Sequence, residues 1–322
     1  MTRVLVVGPP RSGTTWIAQA LGRCTDTRYV HEPDGTSEVF ALRAKRGRPV
    51  HLALDPHDVA RDYERLWAGA FAGGHRSRSA RARLTKRLFD QASLRDRTTA
   101  RTGERVTPAL RLAVALAQPL GAAPSQHVVV KSVHACLAAE WIATRFAPRV
   151  VVVERHGLNV LASWKQLGHG ARPDSLAHLA EFAARAWGIA LPVDDVPRMA
   201  QRAMSYAVLT GALHDARTRH PDWLAVRHEE LLSDPLTGLG ALAATLGLEF
   251  STAAAAYVEA SNQPGERYVT RRVTSELVDK WQRTLTDDEV RDAIGALGAF
   301  PPGLGFDDAI RDGTAWLARP TG

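Results

Sequence analysis

The sequence predicts an α/β fold of three layers, a parallel sheet with helices on both faces, in one domain spanning 1–322. Three observations predict it. Short apolar, β-branched runs recur at 3–8, 127–131, 149–153 and 223–227. Helical periodicity fills the intervals between them, which is the alternation of a parallel sheet buried on both faces. The first run stops at a Gly-Pro-Pro turn and releases straight into a helical pattern, the layout of a strand, a tight loop and a helix N-terminus.

Taken in order, the strand at 3–8 leads to a helix from about Thr14 to Arg23, where Trp16, Ile17, Ala20 and Leu21 share one face. A short strand is expected at 28–30. From Gly35 to Ser125 the strand signal disappears, and helical stretches near 56–72, 78–92 and 107–118 follow one another across Gly- and Pro-bearing breaks. The segment 36–125 therefore reads as a helical insertion or lid. The chain returns to the sheet at 127–131, then runs helix 135–147, strand 149–153, and helices near 156–168, 174–190 and 197–219. After the strand at 223–227 the chain is helical, with a Pro/Gly-rich tail from Pro301.

With 322 residues, 45% of them hydrophobic, the chain can bury a sizeable core. No run approaches the length of a membrane span, and the first strand begins too early to leave room for a secretion signal. Cys24 and Cys136 are too few for a disulfide framework or a cysteine zinc site, so the expectation is a cytoplasmic protein without a metal. The formal net charge is +7, and ten cationic residues fall between Arg76 and Arg105. That stretch holds a single aromatic residue, Phe89, and no nucleic-acid-binding motif, so it reads as a solvated helix face, with a lid over an anionic cofactor or acceptor as the alternative, rather than as a nucleic-acid site.

The chemistry is concentrated in VLVVGPPRSGTTW at 4–16. A strand feeding a tight loop and a helix start points backbone N–H groups at one spot, and the helix dipole adds positive potential, so phosphate is the natural occupant. Ser12, Gly13, Thr14 and Thr15 supply donors, and Arg11 adds a forked cation for oxyanions. The spacing from Gly8 to Gly13 fits the triphosphatase loop GxxxxGK[ST], but Thr14 stands where its lysine belongs. Two other positions suit an anion. Lys131 ends a buried strand, where an unpaired ammonium is costly. Arg155 leaves the end of another, with Ser163 two helical turns further on, at the edge where open α/β sheets bind ligands.

The string PxRSGTTW resembles the 5′-phosphosulfate loop of sulfotransferases that use 3′-phosphoadenosine 5′-phosphosulfate (PAPS). The resemblance covers most of the chain apart from 36–125 and implies a P-loop-like sulfotransferase fold. It implies that Arg11, Ser12, Gly13, Thr14 and Thr15 hold the 5′-phosphosulfate and that Trp16 stacks on adenine. ERHGLNVLASW resembles the family's RHP…S segment, with Gly157 for proline, and so assigns Arg155 and Ser163 to the 3′-phosphate. Lys131 matches the strand-terminal lysine that contacts the transferred sulfuryl group, and His134 follows it as a further catalytic candidate. RHEELLSDP at 227–235 is similar to the family's RYEDL…DP, with His228 in place of a tyrosine near the adenine. The stretch 266–289 loosely resembles the closing loop RKGxxGxW without its glycines; Arg271 and Arg272 are candidates for the 3′-phosphate, with Trp281 and Thr286 keeping the flanking pattern.

Protein-tyrosine sulfotransferases also carry Arg in this loop, with a catalytic glutamate about twenty residues on. Glu32 lies at a similar distance from Arg11, so the resemblance implies Glu32 as base, with His31 and His134 as alternatives. The expected activity is sulfuryl transfer from PAPS to a hydroxyl or amine of a small-molecule, glycan or lipid acceptor. Two competing readings are a nucleotide kinase or NTPase on a related fold and a non-enzymatic basic binding protein.

Overall fold

The computed structural model describes residues 1–93, 96–97, 107–169, 173–261 and 279–319. The chain is α/β, with parallel strands flanked by helices on both faces, as the sequence predicts. It divides into two compact units. Met1–Val7, Ile17–Val150 and Ala243–Ala254 form one; Gly8–Trp16, Val151–Leu242 and Ala255–Gly322 form the other.

In the first unit, β3 (His127–Ser132) lies between β1 (Thr2–Val7) and β2 (Thr27–His31), parallel to both. Register places Lys131 opposite Val6 on one side and His31 on the other. The central valines Val128, Val129 and Val130 are fully buried, so the continuous apolar run marks a strand covered on both faces. The opening helix α1 covers Thr14–Leu21.

The segment 36–125 is helical among its described residues, as expected. It holds α2 (Val39–Ala44), α3 (Arg61–Phe71), α4 (Ala80–Asp90) and α5 (Pro108–Leu116), plus one isolated antiparallel bridge, His75 to Gly121. Helix α4 is capped by the Ser79 hydroxyl accepting from Ala82 N, and α5 by Thr107 accepting from Leu110 N, with Pro108 at a position needing no donor. Leu42, Phe89, Ala92, Leu110 and Ala113 make a local core joining α2, α4 and α5. Buried Tyr63, Trp67 and Phe71 of α3 meet Trp141 and Phe146 of α6 (Ala139–Phe146), which follows a 3₁₀ turn at Cys136–Ala138. Each such aromatic contributes about 1.5–3 kcal/mol by leaving water. The cationic helix α4 exposes Arg81, Arg83, Lys86 and Arg87. Arg95, Arg101 and Arg105 lie outside the described residues.

In the second unit β4 (Arg149–Glu154) pairs parallel with β5 (Leu224–Arg227). Helices α7 (Gly157–Gln166), α8 (Pro173–Trp187) and the long α9 (Arg198–Arg219) follow β4; α10 (His228–Ser233), α11 (Pro235–Thr245) and α12 (Thr252–Ser261) follow β5. Helix α13 (Asp287–Leu297) opens with a capping box in which Thr286 and Glu289 satisfy each other's backbone donors.

The expected Pro/Gly-rich tail needs correction. After a turn in which Gly303 and Gly305 hold positive φ, the chain forms a further helix, α14 (Asp307–Leu317), packed on α13 and α7. The Asp307 carboxylate accepts from Gly303 N, and buried Phe306 and Ala309 supply the apolar anchor that the proline-rich composition concealed. Among the described residues, no helix is long and apolar enough to cross a membrane.

Candidate active site

The turn between β1 and α1 is set by close approaches in the second unit. A Cβ on Gly8 would lie 2.6 Å from the Val153 carbonyl and 2.7 Å from Ser12 Oγ, so only glycine fits. Ser12 N donates to Pro9 O at 3.1 Å, closing the turn. Arg11 then adopts φ 72° and Gly13 φ 98°, and the helix begins at Thr14, whose first turn leaves N–H groups without intrahelical acceptors. A Cβ at Gly13 would stand 2.2 Å from His228 Cδ2, since that imidazole packs on the turn.

Arg11, Arg155 and Ser163 come together here. Arg11 Nε donates to Ser163 Oγ at 3.2 Å, and the Arg155 guanidinium donates through Nη1 to Arg11 O at 2.9 Å. Trp164 Nε1 donates to Pro10 O at 2.8 Å, and Tyr206 OH to Arg155 O at 3.0 Å. Arg155 Nε lies 3.9 Å from Glu229 Oε1, which accepts from His156 N at 3.1 Å. Burial lowers the Arg155 pKa to about 10, Glu229 opposing and the neighbouring Arg11 reinforcing the shift, so the guanidinium stays charged at neutral pH. His228 is buried, and burial, helped by Arg155, holds its pKa well below the ordinary histidine value. It is a neutral ring at physiological pH. Trp16 is buried too, its Nε1 donating to Ser261 Oγ at 2.8 Å and its ring meeting His228 edge-on at 6.0 Å.

This turn suits an anion. Ser12 Oγ, Arg155 Nε and His228 Nδ1 are buried and have no hydrogen-bond partner among the described residues. An orphaned hydroxyl and guanidinium N–H at a helix start are donors suited to oxyanion oxygens.

The second cluster lies in the first unit, at the carboxyl ends of β2 and β3. Lys131 Nζ, only 2% of its residue exposed, donates to Glu32 Oε1. Glu32 N donates to Lys131 O at 2.7 Å, and Glu32 takes φ 40°, a left-handed conformation that turns the chain out of β2. The other carboxylate oxygen stands 3.7 Å from His134 Nε2 and 3.9 Å from His31 Nε2. Burial would raise the Glu32 pKa, but Lys131 and the two histidines outweigh it, leaving the carboxyl below its ordinary value. His134 is depressed by burial, then by Lys45, with Asp34 and Glu32 opposing; burial also lowers His31. The cluster is thus an ionised carboxylate, a buried ammonium and two imidazoles favouring the neutral form.

The sulfotransferase family model matches residues 3–252, more than half of the chain. This chain belongs to the sulfotransferase family. The family fixes its general chemistry as that of a transferase. A search of curated proteins found no match. Among solved structures, the sulfotransferase domain of the Synechococcus PCC 7002 olefin synthase is 14% identical, with a TM-score of 0.39, over 100% of this chain and 96% of that one. The sulfotransferase domain of the curacin biosynthetic pathway is 12% identical, with a TM-score of 0.41, over 91% and 96%. Sulfotransferase STF1 of Mycobacterium tuberculosis H37Rv is 14% identical, with a TM-score of 0.40, over 80% and 70%.

In this sulfotransferase, then, Arg11, Ser12, Gly13, Thr14, Thr15, Trp16, Arg155, Ser163 and His228 lie in or against one turn, and Glu32, Lys131, His134 and His31 form one cluster. Arg271 and Arg272 lie outside the described residues. Trp281 is buried, its backbone N–H donating to Asn159 Oδ1 at 3.2 Å, and Thr286 caps α13. Sequence reasoning missed Trp164, Tyr206 and Glu229 around the turn, and Asp34, Ser132, Tyr63 and Lys45 beside Lys131. Asp34 had a signal, its place in the HEPDG turn directly after Glu32; the others become partners only through long-range folding.

Proposed function

We propose that this chain transfers the sulfuryl group of PAPS to a hydroxyl of a small acceptor. The observation that carries the reading is the Arg11 turn, where two guanidinium groups, an orphaned serine hydroxyl and a helix start converge. When bound, PAPS supplies an activated sulfuryl group and a bisphosphorylated nucleoside as leaving group. In this reading Arg11, Ser12 and the amides of Gly13, Thr14 and Thr15 bind the 5′-phosphosulfate end, and Arg155 and Ser163 the 3′-phosphate. His228 and Trp16 are the candidates for the adenine side. Donors already held in place stabilise developing charge without reorganising at the moment of transfer.

Glu32 accepts the acceptor's proton. Lys131 has a double part. While it is paired to Glu32 the carboxylate is a weak base; when the ammonium turns to a sulfuryl oxygen, Glu32 loses its strongest neighbour and its proton affinity rises.

Calorimetry with 3′,5′-bisphosphoadenosine, followed by incubation with labelled PAPS and a panel of hydroxylated metabolites, tests the reading. Binding of the bisphosphate and label transfer to an alcohol are expected. A chain that ignores the bisphosphate yet gains thermal stability from ATP with magnesium would overturn it in favour of a nucleotide kinase.

A further inference from the structure

Behind Glu32 and Lys131 lies a charged network that the mechanism above does not use. Asp34 and Lys45 face each other with side chains almost wholly removed from solvent, Lys45 Nζ 3.8 Å from Asp34 Oδ2. Lys45 also donates to the Asp34 carbonyl at 3.2 Å and to the Val50 carbonyl. Ser132 Oγ donates to Asp34 Oδ1 at 2.6 Å, and Tyr63 OH to Asp34 Oδ2 at 3.0 Å. Ser132 Oγ in turn accepts from His134 N at 3.0 Å. A hydroxyl with one proton to give is thus committed on both sides, to the carboxylate and to the backbone of the turn that carries His134.

A buried ion pair is poor value as a source of stability, because desolvation consumes most of its attraction. Its position explains it better. We propose that Asp34 and Lys45 are a positioning pair, which fixes the turn after β3 and sets the electrostatic field at His134 where that ring faces Glu32. The proposal rests on the reading of Glu32 as proton acceptor and deepens it. The groups facing His134 are Glu32, Asp34, Lys45 and Lys131, with the His51 ring 5.8 Å away. Lys45 disfavours an imidazolium there and Asp34 favours one. With His134 neutral, Glu32 Oε2 is not claimed by a second full cation and stays available to a hydroxyl. A protonated His134 would bind that oxygen and blunt the base.

The test is an NMR titration of the His134 ring in the full chain labelled at histidine, assigned from His134→Gln. Lys45→Met should raise the His134 pKa, Lys45→Arg should leave it unchanged, and Asp34→Asn should lower it further. Opposite displacements are the signature of a field set by this pair. If Lys45→Met and Asp34→Asn both move the pKa upward, the network merely packs and the proposal is overturned; no movement in either overturns it too. Should a single variant fail to fold, Asp34→Asn/Lys45→Met leaves no unpaired ion buried. In it the amide of His134, whose acceptor Ser132 Oγ loses its charged partner, should exchange with solvent faster than in the unaltered chain, and unchanged exchange would be decisive against the pair. The titration needs neither nucleotide nor acceptor, so failure of the PAPS reading shows separately, as absent bisphosphate binding.

Discussion

Arg11 and Glu32 each hold a left-handed backbone conformation, φ 72° and 40°, which costs a side-chain-bearing residue roughly 1–3 kcal/mol. Asp26, Ala147 and Asp195 share the conformation, so strain alone does not mark a site. What distinguishes Arg11 and Glu32 is that each strained residue also anchors a charged cluster, through Ser163 and Arg155 in one case and Lys131 in the other. Because Arg11 and Lys131 are assigned to charge that develops during transfer, Arg11→Ala or Lys131→Ala should reduce kcat by about 10²–10³-fold with the circular dichroism spectrum unchanged. Near-normal turnover in either variant removes that residue from the mechanism. Glu32→Gln separates binding from chemistry, since the amide preserves shape but cannot take a proton. Calorimetric affinity for bisphosphoadenosine should persist while label transfer is lost; persistent transfer would move the base to His31 or His134.

At the scale of elements, the turn from Gly8 to Gly13 is held from outside by β4, α7 and α10, through Val153, Trp164 and His228. Gly13→Ala meets two obstacles, a positive φ and the imidazole of His228. It should cost more than the roughly 1–3 kcal/mol of backbone strain alone, and adding His228→Ala should return the steric part. Urea unfolding of the two single variants and the double variant measures this; additive losses would mean that the ring does not bear on the turn. This turn was legible in the sequence because its requirements are contiguous: a β-branched strand, two glycines, a cation and a helix start within Val4–Trp16. Lys131 and Arg155 were legible for a related reason, each closing an apolar run. Their supports were not. Lys45 reaches Asp34 across eleven residues, Tyr63 across twenty-nine and Ser132 across ninety-eight, and no local pattern encodes such a meeting. The helix α14 was hidden differently. Its Asp- and Gly-containing sequence has weak helix propensity, and its stability comes from packing on α13 and α7.

For the whole molecule, histidines withdrawn from water, wholly at His228 and largely at His134, make stability vary with pH. His134 and His228 have pKa values lowered by burial, far more so for His228, while in the unfolded chain both titrate at about 6.5. Below that value the unfolded chain binds protons that the folded chain refuses, so unfolding free energy falls as pH drops, until the folded-state pKa values are passed. Glu32 works in a separate window. Its folded pKa is depressed, so its contribution is complete above the unfolded value of about 4.3 and is lost as pH falls through the folded value. Two descents are therefore expected on acidification, an early one from the histidines and a later one from the carboxylate. Urea titrations from about pH 8 to about pH 5 should show the first. In His228→Asn, whose amide does not titrate, the slope across that interval should flatten even if absolute stability falls. A wild-type curve with no decline there would mean that the imidazole under Gly13 is reached by water, and the neutral ring assigned to that turn would have to be abandoned.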